Sequence, residues 1–119
     1  MSNDYITVTG DVAMSTLVTA NKVAKWCVKR FNLEGITINI SIERDVDCWG
    51  ECGVGTEGGQ YDIMVCSNQP LRDFVATIVH EMIHVAQWEK NEWYETDGEK
   101  ECEDLQYKLT DELWRKNIL

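Results

Sequence analysis

Alternation of apolar and polar residues predicts the β-strands of this chain. Residues 36–42 alternate strictly, so four isoleucines lie on one face of a strand and small polar residues on the other. Residues rich in β-formers also predict strands at 5–9 and 61–66, and a further strand is expected at 45–50. Five glycines between residues 50 and 59 predict a flexible connection. This order favours an antiparallel sheet with a long, mobile tip.

Apolar residues at helical spacing predict three helices. A single apolar face runs through residues 11–31. A broader stripe runs through residues 70–88, where Pro70 suits the first turn because its missing N–H is not needed there. A last helix is expected to start at Thr96, because Thr96 and Glu99 can cap each other's backbone donors.

Length and composition fit a single domain over residues 1–119. A chain of 119 residues can bury most of the apolar surface that its unfolded form exposes, and its hydrophobic fraction of 44% is ordinary for a globular protein. The predicted elements give an α+β fold. Its small, mainly antiparallel sheet packs on the helix at 70–88, with one helix before that helix and one after it.

The N-terminus and the cysteines bear on the compartment of the protein. No cationic start followed by an apolar run opens the chain, and no stretch of 18 apolar residues occurs, so a cytoplasmic protein without membrane spans is expected. Five cysteines are an odd number for a chain without an export signal, which favours reduced thiols over disulfides. Cys48 and Cys52 could contribute to a metal site of their own, but the chain has no second pair of cysteines at a matching spacing. Reduced structural cysteines are therefore favoured.

The net charge of -10 argues against direct binding of nucleic acid, because phosphate backbones are held chiefly by Lys and Arg. Ten acidic residues and only three lysines lie between residues 89 and 112. A solvated helical face that keeps the protein soluble is the favoured interpretation of this run. Attraction of a basic substrate is the alternative.

The chemistry of the chain is concentrated in the sequence His-Glu-x-x-His at residues 80–84, inside the helix predicted at 70–88. A step of four residues places the imidazoles of His80 and His84 on one side of a helix, one turn apart, where both can bind one metal ion. Zinc suits two neutral imidazoles and a carboxylate, and Glu81 can take a proton from an activated water. A pair of histidines on a solvated face is the alternative, but both histidines of the chain lie in this motif.

The segment resembles the zincin metallopeptidases, most closely the compact gluzincins and the small SprT-like peptidases of bacteria and phages. The resemblance is specific over residues 80–87 and looser over residues 36–113. It implies a twisted sheet packed on the active helix and a third metal ligand from the next helix. It also implies a peptide substrate that lies along the edge strand of the sheet, here residues 61–66.

The third ligand is expected to be a carboxylate or a thiolate, because the chain has no third histidine. Glu101, which a small residue follows, best matches the gluzincin pattern. It also lies beside the apolar stripe of its helix. Glu99 flanks that stripe on the other side, where it could instead cap the helix. The remaining candidates are Glu103, Glu95 and Asp97. Tyr94 or Tyr107 could stabilise an oxyanion, although packing roles are favoured for both.

Three functions are consistent with these residues. The first is a zinc metallopeptidase that hydrolyses a peptide or protein substrate, with Glu81 as the general base. The second is an inactive, zinc-stabilised scaffold that binds a peptide or partner protein at its edge strand. The third, an accessory role in nucleic-acid processing, is disfavoured by the negative charge.

Overall fold

The computed structural model describes residues 4–44, 50–54, 59–90 and 98–119, with the backbone alone at 50–54. In chain order the elements are β1 (Tyr5–Thr9), α1 (Met14–Arg30), β2 (Thr37–Glu43), β3 (Gly50–Val54), β4 (Gln60–Cys66), α2 (Leu71–Glu89) and α3 (Gly98–Arg115). These helices and strands confirm the α+β class. None of the helices in these ranges is long and apolar enough to cross a membrane.

The four strands form one sheet in the order β1-β2-β4-β3. β1 pairs with β2 in parallel, β2 pairs with β4 in parallel, and only β3 runs antiparallel to its neighbour β4. The prediction of a mainly antiparallel sheet is therefore wrong. The reason is the connections: α1 carries the chain back to the starting end of the sheet, and β3 lies outside β4.

The edge of the sheet also differs from the expectation. Residues 61–66 were expected at the edge, but they form most of β4, which has β2 on one side and β3 on the other. Among the described strands, β3 is the edge on that side. β3 occupies residues 50–54, where the glycines predicted a flexible connection, because pairing with β4 outweighs the weak strand propensity of glycine. The strand expected at 45–50 falls, apart from Gly50, outside the described residues.

The core lies where the sheet meets the helices. Ile36, Ile38, Ile40 and Ile42 are all at most 2% exposed, which confirms the buried face predicted from their alternation. α2 supplies a buried stripe that includes Ile78 and packs against α1, α3, β3 and β4. This central position accounts for the burial of α2 on most of its surface and fixes the direction in which its histidines point.

The helix boundaries agree with the predicted positions to within a few residues. α2 begins at Leu71, so Pro70 occupies the N-cap position and not the first helical turn. α3 begins at Gly98 among the described residues, and Thr96 lies outside them together with the capping box expected there.

Candidate metal centre

His80 and His84 project from the same side of α2, as their four-residue spacing predicts. Their ring centroids are 5.0 Å apart, with an angle of 75° between the ring planes. The side chain of His80 is 18% exposed and that of His84 is 5% exposed. One imidazole therefore borders solvent, whereas the other is enclosed between α2 and α3.

Glu99, in the first turn of α3, meets both imidazoles through their Nε2 atoms. Its Oε1 lies 2.6 Å from His84 Nε2, and its Oε2 lies 3.3 Å from His80 Nε2. Partial burial raises the pKa of Glu99, but the hydrogen bond with His84 and the charges of the two imidazoles outweigh burial, so the pKa lies below its ordinary value. The structure thus brings one carboxylate and two imidazoles together at one point.

The Nδ1 atoms of the two rings face glutamine side chains. His80 Nδ1 lies 2.6 Å from Oε1 of Gln106 on α3, and His84 Nδ1 lies 2.9 Å from Oε1 of Gln87 on α2. An amide oxygen only accepts hydrogen bonds, so each Nδ1 acts as the donor in these two contacts. The Nε2 atoms of both rings are then turned towards Glu99.

Glu101 does not reach the imidazoles. Its Oε1 accepts a hydrogen bond from Gln87 Nε2 at 3.0 Å. A separation of two residues turns a side chain by about 200° around a helix, so Glu99 and Glu101 leave α3 on different sides. Of the two carboxylates, Glu99 therefore lies at the imidazoles and Glu101 lies at Gln87. Glu103 lies along a neighbouring groove.

Cys102 is also close to the histidines. Its Sγ lies 3.5 Å from His84 Nδ1 and 3.6 Å from His84 Nε2, and it donates to the backbone carbonyl of His80 at 3.4 Å. Donor atoms of His80, His84 and Cys102 all lie within 4.8 Å of one another, so these three residues could also hold an ion. Burial first, and then the charge of Glu99, raises the pKa of the Cys102 thiol.

The sequence contains a spacing that links Glu99, the alternative ligand expected from the sequence, to two residues that no motif singled out, Cys102 and Gln106. Glu99, Cys102 and Gln106 are separated by steps of three and four, which places them on one face of α3. Cys102 also belongs to the apolar stripe of this helix. Gln87 lies one turn after Ile83 and three residues after His84, a spacing at which two side chains meet on a helix.

Glu81 is 6% exposed and borders a groove between α2 and α3. The groove has a volume of about 530 Å³. Its polar lining consists of Gln69, Asp73, Thr77, His80, Glu81, Glu103, Gln106 and Tyr107. The hydroxyl of Tyr107 donates to Asp73 at 2.7 Å. Glu81, the proposed general base, therefore lines the same groove as the imidazole of His80.

Several other candidates fall outside the described residues, namely Tyr94, Glu95, Asp97 and Cys48; Cys52 is described by its backbone alone. Comparison with protein-family models, curated proteins and solved structures gives no match for this chain.

Proposed function

We propose that the chain is a zinc-dependent metallopeptidase on a zincin-like scaffold, in which His80, His84 and Glu99 hold the metal and Glu81 is the general base. The observation that carries this proposal is the convergence of both Nε2 atoms on the carboxylate of Glu99. Two helices contribute to it, and the histidines belong to a His-Glu-x-x-His motif.

The donor set fits zinc. Two imidazoles and a carboxylate are a ligand combination that zinc uses in catalytic sites. A hydrogen bond of 2.6 Å between His84 Nε2 and Glu99 requires a proton between the two atoms, and a metal cation can take the place of that proton. Zinc bound there supplies Lewis acidity, which polarises a carbonyl group and acidifies a water molecule.

The residues of the chain have distinct tasks in hydrolysis. The carboxylate of Glu81 takes a proton from the attacking water and returns it to the amine that leaves. Its low exposure limits competing bulk water, and its place beside His80 on the groove puts it next to the space that a substrate can enter.

Metal content and turnover test this proposal together. Protein purified without added metal is expected to carry about one zinc per chain, as catalytic sites of this ligand type do. Both His80→Ala and His84→Ala lose that zinc. Glu81→Gln keeps the metal and loses hydrolysis of casein and of unstructured peptides, whereas Glu34→Gln, at an exposed position outside the groove, leaves both unchanged. Folded wild-type protein that takes up no zinc contradicts the proposal, as does undiminished turnover of Glu81→Gln.

A peptide-binding module without turnover is the second candidate. The observation that favours it is the edge strand β3, which pairs with β4 on one side only among the described strands. An extended peptide can add to such an edge through main-chain hydrogen bonds. This function predicts that zinc raises stability, that Glu81→Gln binds peptide as the wild type does, and that neither protein cleaves it.

A further inference from the structure

Gln87 makes hydrogen bonds to both helices of the metal centre. It is 2% exposed. Its Oε1 lies 2.9 Å from His84 Nδ1, and its Nε2 lies 3.0 Å from the backbone oxygen of Gly98 and 3.0 Å from Oε1 of Glu101. A buried amide whose oxygen and nitrogen are both used is held in a single orientation.

The partners of Gln87 decide which way its amide points. The carbonyl of Gly98 and the carboxylate of Glu101 only accept hydrogen bonds, so the amide nitrogen must face them. The amide oxygen then faces His84 and requires a proton on Nδ1. As a result, the Nε2 atom of His84 is the one available to a cation.

The same side chain also places the third ligand. Gly98 begins α3 and directly precedes Glu99 in the chain. A hydrogen bond from α2 to the Gly98 carbonyl therefore fixes the start of α3, and with it the point from which Glu99 reaches the imidazoles. Gln106, by comparison, contacts one of the proposed ligands: its Oε1 lies 2.6 Å from Nδ1 of His80.

We infer that Gln87 is the positioning residue of the metal centre, and that Glu101 serves as its acceptor. Gln87 selects the His84 tautomer through its oxygen and aligns Glu99 through its nitrogen, so one side chain acts on two of the three proposed ligands. This inference rests on the proposed function, because it requires a cation to bind at the Nε2 atoms. Partners of metal-bound histidines of this kind contribute strongly to affinity.

Zinc affinity tests the inference. Gln87→Met keeps the length of the side chain and removes its hydrogen bonds, and it is expected to weaken zinc binding roughly 10- to 100-fold. The double substitution Gln87→Glu with Glu101→Gln exchanges the two groups. It restores an acceptor for His84 Nδ1 and a donor between positions 87 and 101, but it leaves the Gly98 carbonyl without a donor. It is therefore expected to bind zinc more tightly than Gln87→Met and more weakly than the wild type. Gln60→Met, at a glutamine of β4 that lies outside both the metal centre and the groove, is the matched control and keeps wild-type affinity.

Ring-nitrogen NMR of the wild type gives a second measurement that does not depend on the folding of a variant. The chain has two histidines, so the signals are simple to assign. Zinc on Nε2 of His84, with the proton kept on Nδ1, is expected. Zinc on Nδ1 overturns the inference, and so does equal affinity of wild type and Gln87→Met in folded protein. Wild-type protein that binds no zinc overturns the proposed function together with the inference. Zinc on Nδ1, or equal affinity of the two proteins, overturns the inference about Gln87 alone.

Discussion

His84 Nε2 lies 2.6 Å from Oε1 of Glu99, whereas Glu101, two residues further along α3, bonds the amide of Gln87. Because Glu99 and Glu101 leave α3 at different angles around its axis, their carboxylates contact different groups. Glu99 faces the imidazoles as the proposed third ligand, and Glu101 faces Gln87, the proposed positioning residue.

Glu99→Ala is expected to lose zinc, and Glu101→Ala is expected to retain it. Removing Glu99 takes away a ligand, so the loss of affinity should exceed the roughly 10- to 100-fold effect of removing an outer partner. Glu101→Ala leaves Gln87 bonded to Gly98 and His84. Elemental analysis and competition with a chelator measure both. A Glu101→Ala protein that is emptied of zinc, beside a Glu99→Ala protein that retains it, would reverse the assignment.

Cys102 is expected to remain a packing residue when the metal binds. Its Sγ donates to the His80 carbonyl and is fully buried, so Cys102→Ala should lower the free energy of unfolding by about 1 kcal/mol through lost packing. The same variant should keep its metal. In the cobalt-substituted wild type, the absence of a thiolate-to-cobalt charge-transfer band is the direct measurement. A strong band that Cys102→Ala removes would place the thiolate among the ligands.

Cys27 should make the protein less stable at alkaline pH. Its thiol on α1 is fully buried, and burial raises its pKa, only partly offset by the charge of Arg30. Above the ordinary thiol pKa of 9.0, the unfolded chain releases this proton while the folded state keeps it. The contribution of this thiol to the free energy of unfolding is therefore fully present below that pH. Above it, the free energy of unfolding falls by up to about 1.4 kcal/mol per pH unit.

Cys27→Ala isolates this effect from other groups that titrate at high pH. Urea unfolding under reducing conditions, at neutral pH and above pH 9, gives the fall in unfolding free energy for each protein. The fall is expected to be smaller in Cys27→Ala than in the wild type. Equal falls in the two proteins would count against a buried, protonated thiol.

Gly10→Ala should be destabilising because the backbone of β2 is too close. A Cβ at Gly10, where φ is +153°, would lie 2.6 Å from the carbonyl oxygen of Ile42. We expect a loss of about 1–3 kcal/mol in the free energy of unfolding, as for other overpacked sites. Gly35 provides the comparison, because its φ is +67° and no atom lies within 4 Å of a Cβ placed there.

Substitutions at Gly35 therefore test backbone strain without a clash. Gly35→Ala should cost about 1 kcal/mol, and Gly35→Asn less, since asparagine tolerates the left-handed conformation. Thermal unfolding of the three variants measures the order. Gly10→Ala as stable as Gly35→Asn would contradict the contact with Ile42.

Strands and helices that depend on local pattern were predicted from the sequence. The isoleucine alternation over residues 36–42 and the stripe of α2 each repeat at the period of one element, so they identify that element without knowledge of its neighbours. The direction of β4 has no such local signal. Both orientations of a strand bury the same alternating face, and only its pairing with β2 and β3 decides between them.

The candidate metal centre, too, could be predicted from the sequence only in part. The sequence by itself determined that His80 and His84 share a side of one helix, because four residues make about one turn. It could not determine the third ligand, since each residue by which the start of α3 shifts would rotate all of its side chains by about 100°. Packing of α3 on α2 sets that rotation, and this contact between distant segments brings Glu99 to the imidazoles and Glu101 to Gln87.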